Sequence, residues 1–151
     1  MHSLVRRYIK TAVLFLLAGL ALGAWMVVRR ELHGSPPGAY VVSAHTHLIF
    51  VGFVMMMILG VALWLFPRPE KGDERYRPAV ANAAYWMLTV GTAVRAVGEL
   101  LRAGSTAHWL RWSVVVASLL QVVGLVTFFY TIWSRIRAVG SAVREARGER
   151  F

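Results

Sequence analysis

Two histidines, His45 and His47, stand one residue apart at the head of a long apolar run, "VVSAHTHLIFVGFVMMMILGVALWLFP". Imidazole titrates near neutral pH and is the commonest metal ligand among side chains. A helix advances about 100° per residue, so positions two apart point about 200° apart. One helix therefore cannot offer both rings to a single metal ion. Either each ring serves its own site, one per helix face, or the rings hydrogen-bond at a membrane interface. Ionisable groups several residues inside an apolar segment are usually functional.

A second pair lies in "GTAVRAVGELLR", where Arg95 and Glu99 are four residues apart. That spacing places them on one helix face, about 6 Å apart along the axis. A guanidinium at that depth is costly if it faces lipid alone, so one reading is a structural pair with Arg95 snorkelling outward to Glu99. His33, Glu31 and His108 are further donors for zinc or copper, but nothing in their spacing demands the three or four ligands that zinc takes. The chain has no cysteine, which excludes disulfides, thiolate sites and covalent attachment of a c-type haem.

Four segments have to position these groups. Crossing a membrane takes about 20 mainly apolar residues, and the runs Ile9 to Val28, Val41 to Phe66, Ala79 to Leu101 and Trp109 to Trp133 meet that length. None alternates with a period of two, and all are too long for strands. The expectation is an all-α integral membrane four-helix bundle, one polytopic domain over residues 1–151, with helix breakers in "HGSPPG", "PRPEKGDERYRP" and "AGS". The first run exceeds a signal-peptide core and lacks a convincing cleavage site, so it is read as a retained helix. The tail "SRIRAVGSAVREARGER" reads as a basic helical extension of the fourth helix.

The net charge of +10 does not indicate nucleic acid, because the basic residues flank the apolar runs. Twelve of them sit in the N-terminus, second connector and tail: Arg6, Arg7, Lys10, Arg68, Lys71, Arg75, Arg77, Arg135, Arg137, Arg144, Arg147 and Arg150. Only Arg29, Arg30, Arg102 and Arg111 lie on the other side. Both termini are thus expected in the cytoplasm, in the inner membrane of a prokaryotic cell. His33, His45, His47 and His108 then gather near the outer face.

The run "AYVVSAHTHLIFVGFVMMMILGVALWLFP" resembles the tenth transmembrane helix of subunit I of the haem-copper oxidases. The shared features are a Val-rich lead-in, an Ala-His-x-His pair, a glycine in the second half and a Trp-Phe-Pro-like end. The family's second helix is also similar, with a single Ala-His at the position of His45 after a stretch like "RRELHGSPPGAY". "NAAYWML" is similar to the start of its third helix, so the likeness covers roughly Arg30 to Leu88. In that family the first histidine of the pair ligates one haem and the second ligates another. Subunit I has many more helices than four. Its copper-ligating histidines, including a consecutive His-His pair, are absent here, so one copy of this chain cannot form a complete oxygen-reducing centre.

The resemblance implies a haem, of b type, ligated by His45 and His47. Because the oxidase core is pseudo-threefold, it further implies a homo-oligomer, a trimer before a dimer, in which His45 of one copy and His47 of the next hold one haem. Its propionates would meet Arg29, Arg30, Arg102, Arg111 and His108, since arginine pairs well with carboxylates; His108 is also a candidate axial ligand. Arg95 would turn toward a haem substituent, with Glu99 tuning it. Gly52 and Gly60 admit a ring or a neighbouring helix, and Met55, Met56 and Met57 read as packing or lipid-facing bulk. The expected function is that of a membrane b-type cytochrome in electron transfer. A gas-binding haem protein or reductase for NO or O2, and a haem-free accessory subunit of a respiratory oxidase, are the alternatives.

Overall fold

A computed structural model of the chain describes residues 3–67, 77–136 and 147–148. Every regular element among them is helical: α1 (Ser3–His33), α2 (Ala39–Leu65), α3 (Pro78–Arg102) and α4 (His108–Ile132). The ends of α2, α3 and α4 fall within two residues of the predicted spans, whereas α1 is longer at both ends. Its polar flanks "RRYIK" and "RREL" are good helix formers and continue the helix beyond the apolar stretch.

Each connection follows from local chemistry. Gly34 adopts a left-handed φ of +59°, which residues with a Cβ avoid. The chain turns there, the Ser35 N–H reaches the Arg29 carbonyl (3.2 Å), and Pro36 and Pro37 prevent the helix from resuming. Proline recurs at the start of α3, where Pro78 occupies the first turn after an extended Arg77; its missing N–H costs nothing at that position.

Three helices, α1, α2 and the α4 stretch to Arg135, are long and apolar enough to cross a membrane. The expected fourth, α3, has span length but carries Asn82, Thr89, Thr92, Arg95 and Glu99, which lowers its apolar character. It compensates by burial: Ala81, Ala84, Tyr85, Leu88, Gly91, Thr92, Ala96, Gly98 and Glu99 are all covered by neighbouring helices. Polar groups inside a bundle find partners there that lipid cannot supply.

The molecule packs as two helical hairpins, α1 with α2 and α3 with α4. At the end holding the start of α1, Tyr8, Tyr85 and Phe128 meet edge to face, with ring centroids 5.1 Å and 5.7 Å from Tyr8. Met56, Leu59 and Leu88 fill the space around them, and Thr11 and Tyr85 join their hydroxyls at 2.8 Å. Gly52 and Gly60 admit a neighbouring helix: a Cβ on either would collide with Phe15 or Tyr8 of α1. Met56 is fully buried in this core.

The same end is closed by Arg135, which sits in a short 3-10 turn after α4 (Trp133–Arg135). Its guanidinium donates to the Leu63 carbonyl in the last turn of α2 (3.0 Å) and to the carbonyls of Phe66 (3.1 Å) and Pro67 (2.7 Å) just beyond it. A helix C-terminus leaves its final carbonyls without intrahelical donors, and a cation there also opposes the helix dipole. α4 thus ends in a 3-10 turn where the expected helical tail begins, and most of that tail lies outside the described residues, as do the basic residues Arg68, Lys71 and Arg75 of the second connector.

Candidate functional site

At the opposite end, α2 opens with nine α-helical residues ending in His47, and then changes pitch. Leu48–Met55 form a π-helix before α-helix resumes at Met56. Such wide turns are rare and concentrate at functional sites. The change begins directly after His47, so His45 and His47 keep the α-helical spacing that separates them.

The two rings accordingly face different neighbours. His45 turns toward α1, where its Nδ1 lies 2.9 Å from the Gly19 carbonyl oxygen. A carbonyl can only accept, so Nδ1 is the donor here, and in the neutral ring Nε2 then keeps its lone pair. Gly23 makes this contact possible, because a Cβ there would stand 2.8 Å from His45 Cε1. The carbonyl of residue 19 lies beside the side chain of residue 23, one turn on, and only a missing side chain leaves it open to a ring. The pair is a small-x-x-x-small pattern, Gly19-Leu-Ala-Leu-Gly23, and that spacing is the sequence signal that could have found the contact.

His47 is anchored differently but to the same effect. Its Nδ1 donates to its own helix, to the Ser43 carbonyl at 2.8 Å, with the Ser43 hydroxyl 3.5 Å away. In the neutral ring Nε2 is again the nitrogen left with a lone pair. Neither Nε2 makes a hydrogen bond within the described residues. Metal-ligating histidines characteristically hold their second nitrogen against a carbonyl or carboxylate, which fixes tautomer and ring orientation.

On the His47 side a polar network runs inward. The Ser43 hydroxyl donates to Glu99 Oε1 (2.8 Å), and Arg95 Nε donates to the same oxygen (3.1 Å). Arg95 Nη1 reaches Gln121 Oε1 at 3.5 Å, and Gln121 Nε2 donates to Thr92 Oγ1 (3.0 Å). Glu99 is only 3% exposed, and its Oε2 is buried without a partner. Arg95 therefore lies between Glu99 and Gln121, in the outward pairing expected from its i,i+4 spacing. No local spacing in the sequence marks Ser43 and Gln121 as partners, because they sit 56 and 26 residues from the groups they bind.

The remaining predicted residues divide between the two faces. Arg30 shares with His45 a pocket of about 300 Å³, completed by Gly23, Met26, Val27 and Pro37. Its Nε also meets Glu31 (2.7 Å) in an exposed pair that contributes little to stability. Arg29 lies over the Trp25 ring (5.6 Å) and donates to Ser35 Oγ. Arg102, on the α3 side, stacks over Tyr40 (4.7 Å) and donates to its hydroxyl (2.8 Å), tying the first turn of α2 to α3. Arg111 and His108 are exposed at the start of α4. The His108 ring is 6.4 Å from Trp112 and makes no described contact with His45 or His47. His33, exposed, has only a 3.4 Å approach to the Val28 carbonyl.

Among the described residues no three of His, Asp and Glu converge on a point where a metal ion could sit. Each imidazole is instead a single, oriented donor on its own face. That donor set fits a haem, whose iron takes its equatorial ligands from the macrocycle and needs only axial ones from protein.

The chain matches the family model for cytochrome c and quinol oxidase polypeptide I over residues 3–146, and it belongs to that family. No curated protein and no solved structure matches it. The family and the three apolar helices together make it an integral membrane protein related to the haem-copper oxidases.

Proposed function

We propose that this member of the cytochrome c and quinol oxidase polypeptide I family is a membrane b-type cytochrome whose haem sits between copies of the chain, on His45 of one and His47 of the next. One observation carries the reading. Both rings fix Nδ1 against a backbone carbonyl and keep Nε2 free, yet they face opposite sides of α2. A single chain that presents two prepared ligands in opposed directions is completed by a second copy. Cyclic symmetry with a heterologous interface repeats that junction until the ring closes. Three copies match the pseudo-threefold architecture of the family, and a dimer is the nearest alternative.

His45 and His47 would hold the haem, which would supply one-electron transfer. The chain's own residues then have definite tasks. The Gly19 and Ser43 carbonyls hold the rings in the ligating tautomer. Arg30, in the His45 pocket, is the nearest described cation for a propionate, with Arg29, Arg102, Arg111 and His108 at the same end of the bundle. The excess of Lys and Arg at the other end favours cytoplasmic termini in a prokaryotic inner membrane, with the haem toward the outer face.

The experiment is a mixed assembly. His45→Ala and His47→Ala, expressed alone, lose the sharp reduced low-spin spectrum. Co-expressed, they regain part of it, because the His47→Ala chain supplies His45 and the His45→Ala chain supplies His47 at shared junctions. Haem retained in the double variant overturns the assignment. A high-spin spectrum with rapid CO binding, lost on removing only one histidine, replaces it with a gas-binding haem protein.

A further inference from the structure

The two histidines are held by unequal partners, and the inequality has a chemical direction. His45 Nδ1–H meets one neutral amide carbonyl, that of Gly19. His47 Nδ1–H meets the Ser43 carbonyl at 2.8 Å and faces the Ser43 hydroxyl oxygen at 3.5 Å. A hydroxyl has one proton to give, and Ser43 gives it to Glu99 Oε1 at 2.8 Å. Toward His47 the Ser43 oxygen can therefore act only as an acceptor.

We infer that Glu99 is a positioning and tuning residue for His47, acting through Ser43: a carboxylate, a hydroxyl and an imidazole in series, with no equivalent at His45. The inference rests on the haem reading for one of its two readouts. Hydrogen bonds in series polarise one another in a low-dielectric setting. A carboxylate drawing on the Ser43 proton makes that oxygen more negative, and the oxygen in turn draws on Nδ1–H. An imidazole whose second nitrogen is drawn upon in this way is the more basic ligand.

Two further observations keep the carboxylate effective. Arg95 engages Glu99 through one bond to Oε1, without the bidentate fork that would engage both oxygens. Oε2 is buried and has no partner among the described residues, so the described bonds to this carboxylate all fall on Oε1. A simpler role for Ser43 and Glu99, as glue between α2 and α3, would affect stability and nothing else.

The test compares Ser43→Ala, Glu99→Gln and the double variant by redox titration of the haem-loaded protein. A more electron-rich imidazole favours the oxidised iron, so weakening the series raises the midpoint potential. Loss of an outer-shell partner typically changes metal affinity tenfold or more. A tenfold change in the ratio of affinities for the two oxidation states is about 59 mV for one electron. Each single variant should shift upward by about that much. The double should shift by less than their sum, because both cut the same series. A Ser43→Thr variant, which keeps the hydroxyl, should restore the original potential.

A second readout needs no haem. The Nδ1–H resonance of nitrogen-15-labelled His47, in detergent-solubilised protein, should move upfield in Ser43→Ala and in Glu99→Gln. If haem never binds, the proposed function fails while this measurement still judges the series. Potentials and resonance that stay unchanged in both variants, or singles that add fully, overturn the inference.

Discussion

The two ends of the bundle solve the same problem with opposite materials. Around Tyr8, Tyr85 and Phe128, side chains from all four helices close on one another, and one chain suffices to fill the space. Around His45 and His47 the same helices present hydrogen-bonded polar groups, a pocket beside Arg30 and two nitrogens with lone pairs to spare. An end whose apolar side chains close on one another holds the helices together. An end that leaves prepared donors pointing in two directions is where a cofactor or another copy can be added. On the proposed reading, stability and function lie at opposite ends of the same helices.

That separation can be broken or sharpened experimentally. The largest expected effect is at the histidine end: His45→Ala or His47→Ala should remove the haem spectrum altogether while circular dichroism shows unchanged helix content, and His33→Ala should do neither. Next, Phe128→Ala should open a cavity in the packed end costing about 3–5 kcal/mol on the scale of soluble cores. It should be read as a lower unfolding midpoint in detergent, with the spectrum of the remaining folded protein unaltered. Loss of haem from folded Phe128→Ala would show that the ends are coupled.

Gly23→Val is a smaller perturbation at the site itself. Its branched side chain would displace the His45 ring from the Gly19 carbonyl, since even a Cβ would come within 2.8 Å of the ring. Haem retention during dilution should fall several-fold. Gly104→Ala, where nothing lies within 4 Å, should leave retention as it was. The least effect is expected from Tyr40→Phe. It removes the Arg102 hydrogen bond but keeps the stacked ring, for a loss of about 0.5–1.5 kcal/mol and no change in the spectrum.

Much of this arrangement is legible in the sequence because it depends on residues near one another along the chain. Apolar length and the breakers Gly34, Pro36, Pro37 and Pro78 locate the helices. The spacing of His45 and His47 separates their faces, and the spacing of Arg95 and Glu99 pairs them. What stays hidden is long-range. The Gly19–Gly23 spacing marks a close approach on α1, but nothing local to His45, 26 residues later, names it as the partner, and nothing local to Glu99 names Ser43. The π-helix at Leu48–Met55 is equally silent, because "LIFVGFVM" is as apolar as an ordinary span; the segment packs on α1, far earlier in the chain. The lower apolar character of α3 is visible in composition, but the burial that makes it tolerable is a property of its neighbours.

Arg135 carries a consequence for how the protein is made. The three carbonyls that it holds belong to Leu63, Phe66 and Pro67, the farthest of them 72 residues earlier in the chain. A ribosome delivers the first hairpin long before the residue that finishes it. Until the second hairpin enters the membrane, the end of α2 depends on water or on whatever donor is at hand. The clasp thus makes α4, synthesised after α1 and α2, the helix that certifies them, and a chain cut short before it would leave an open helix end for quality-control proteases to find.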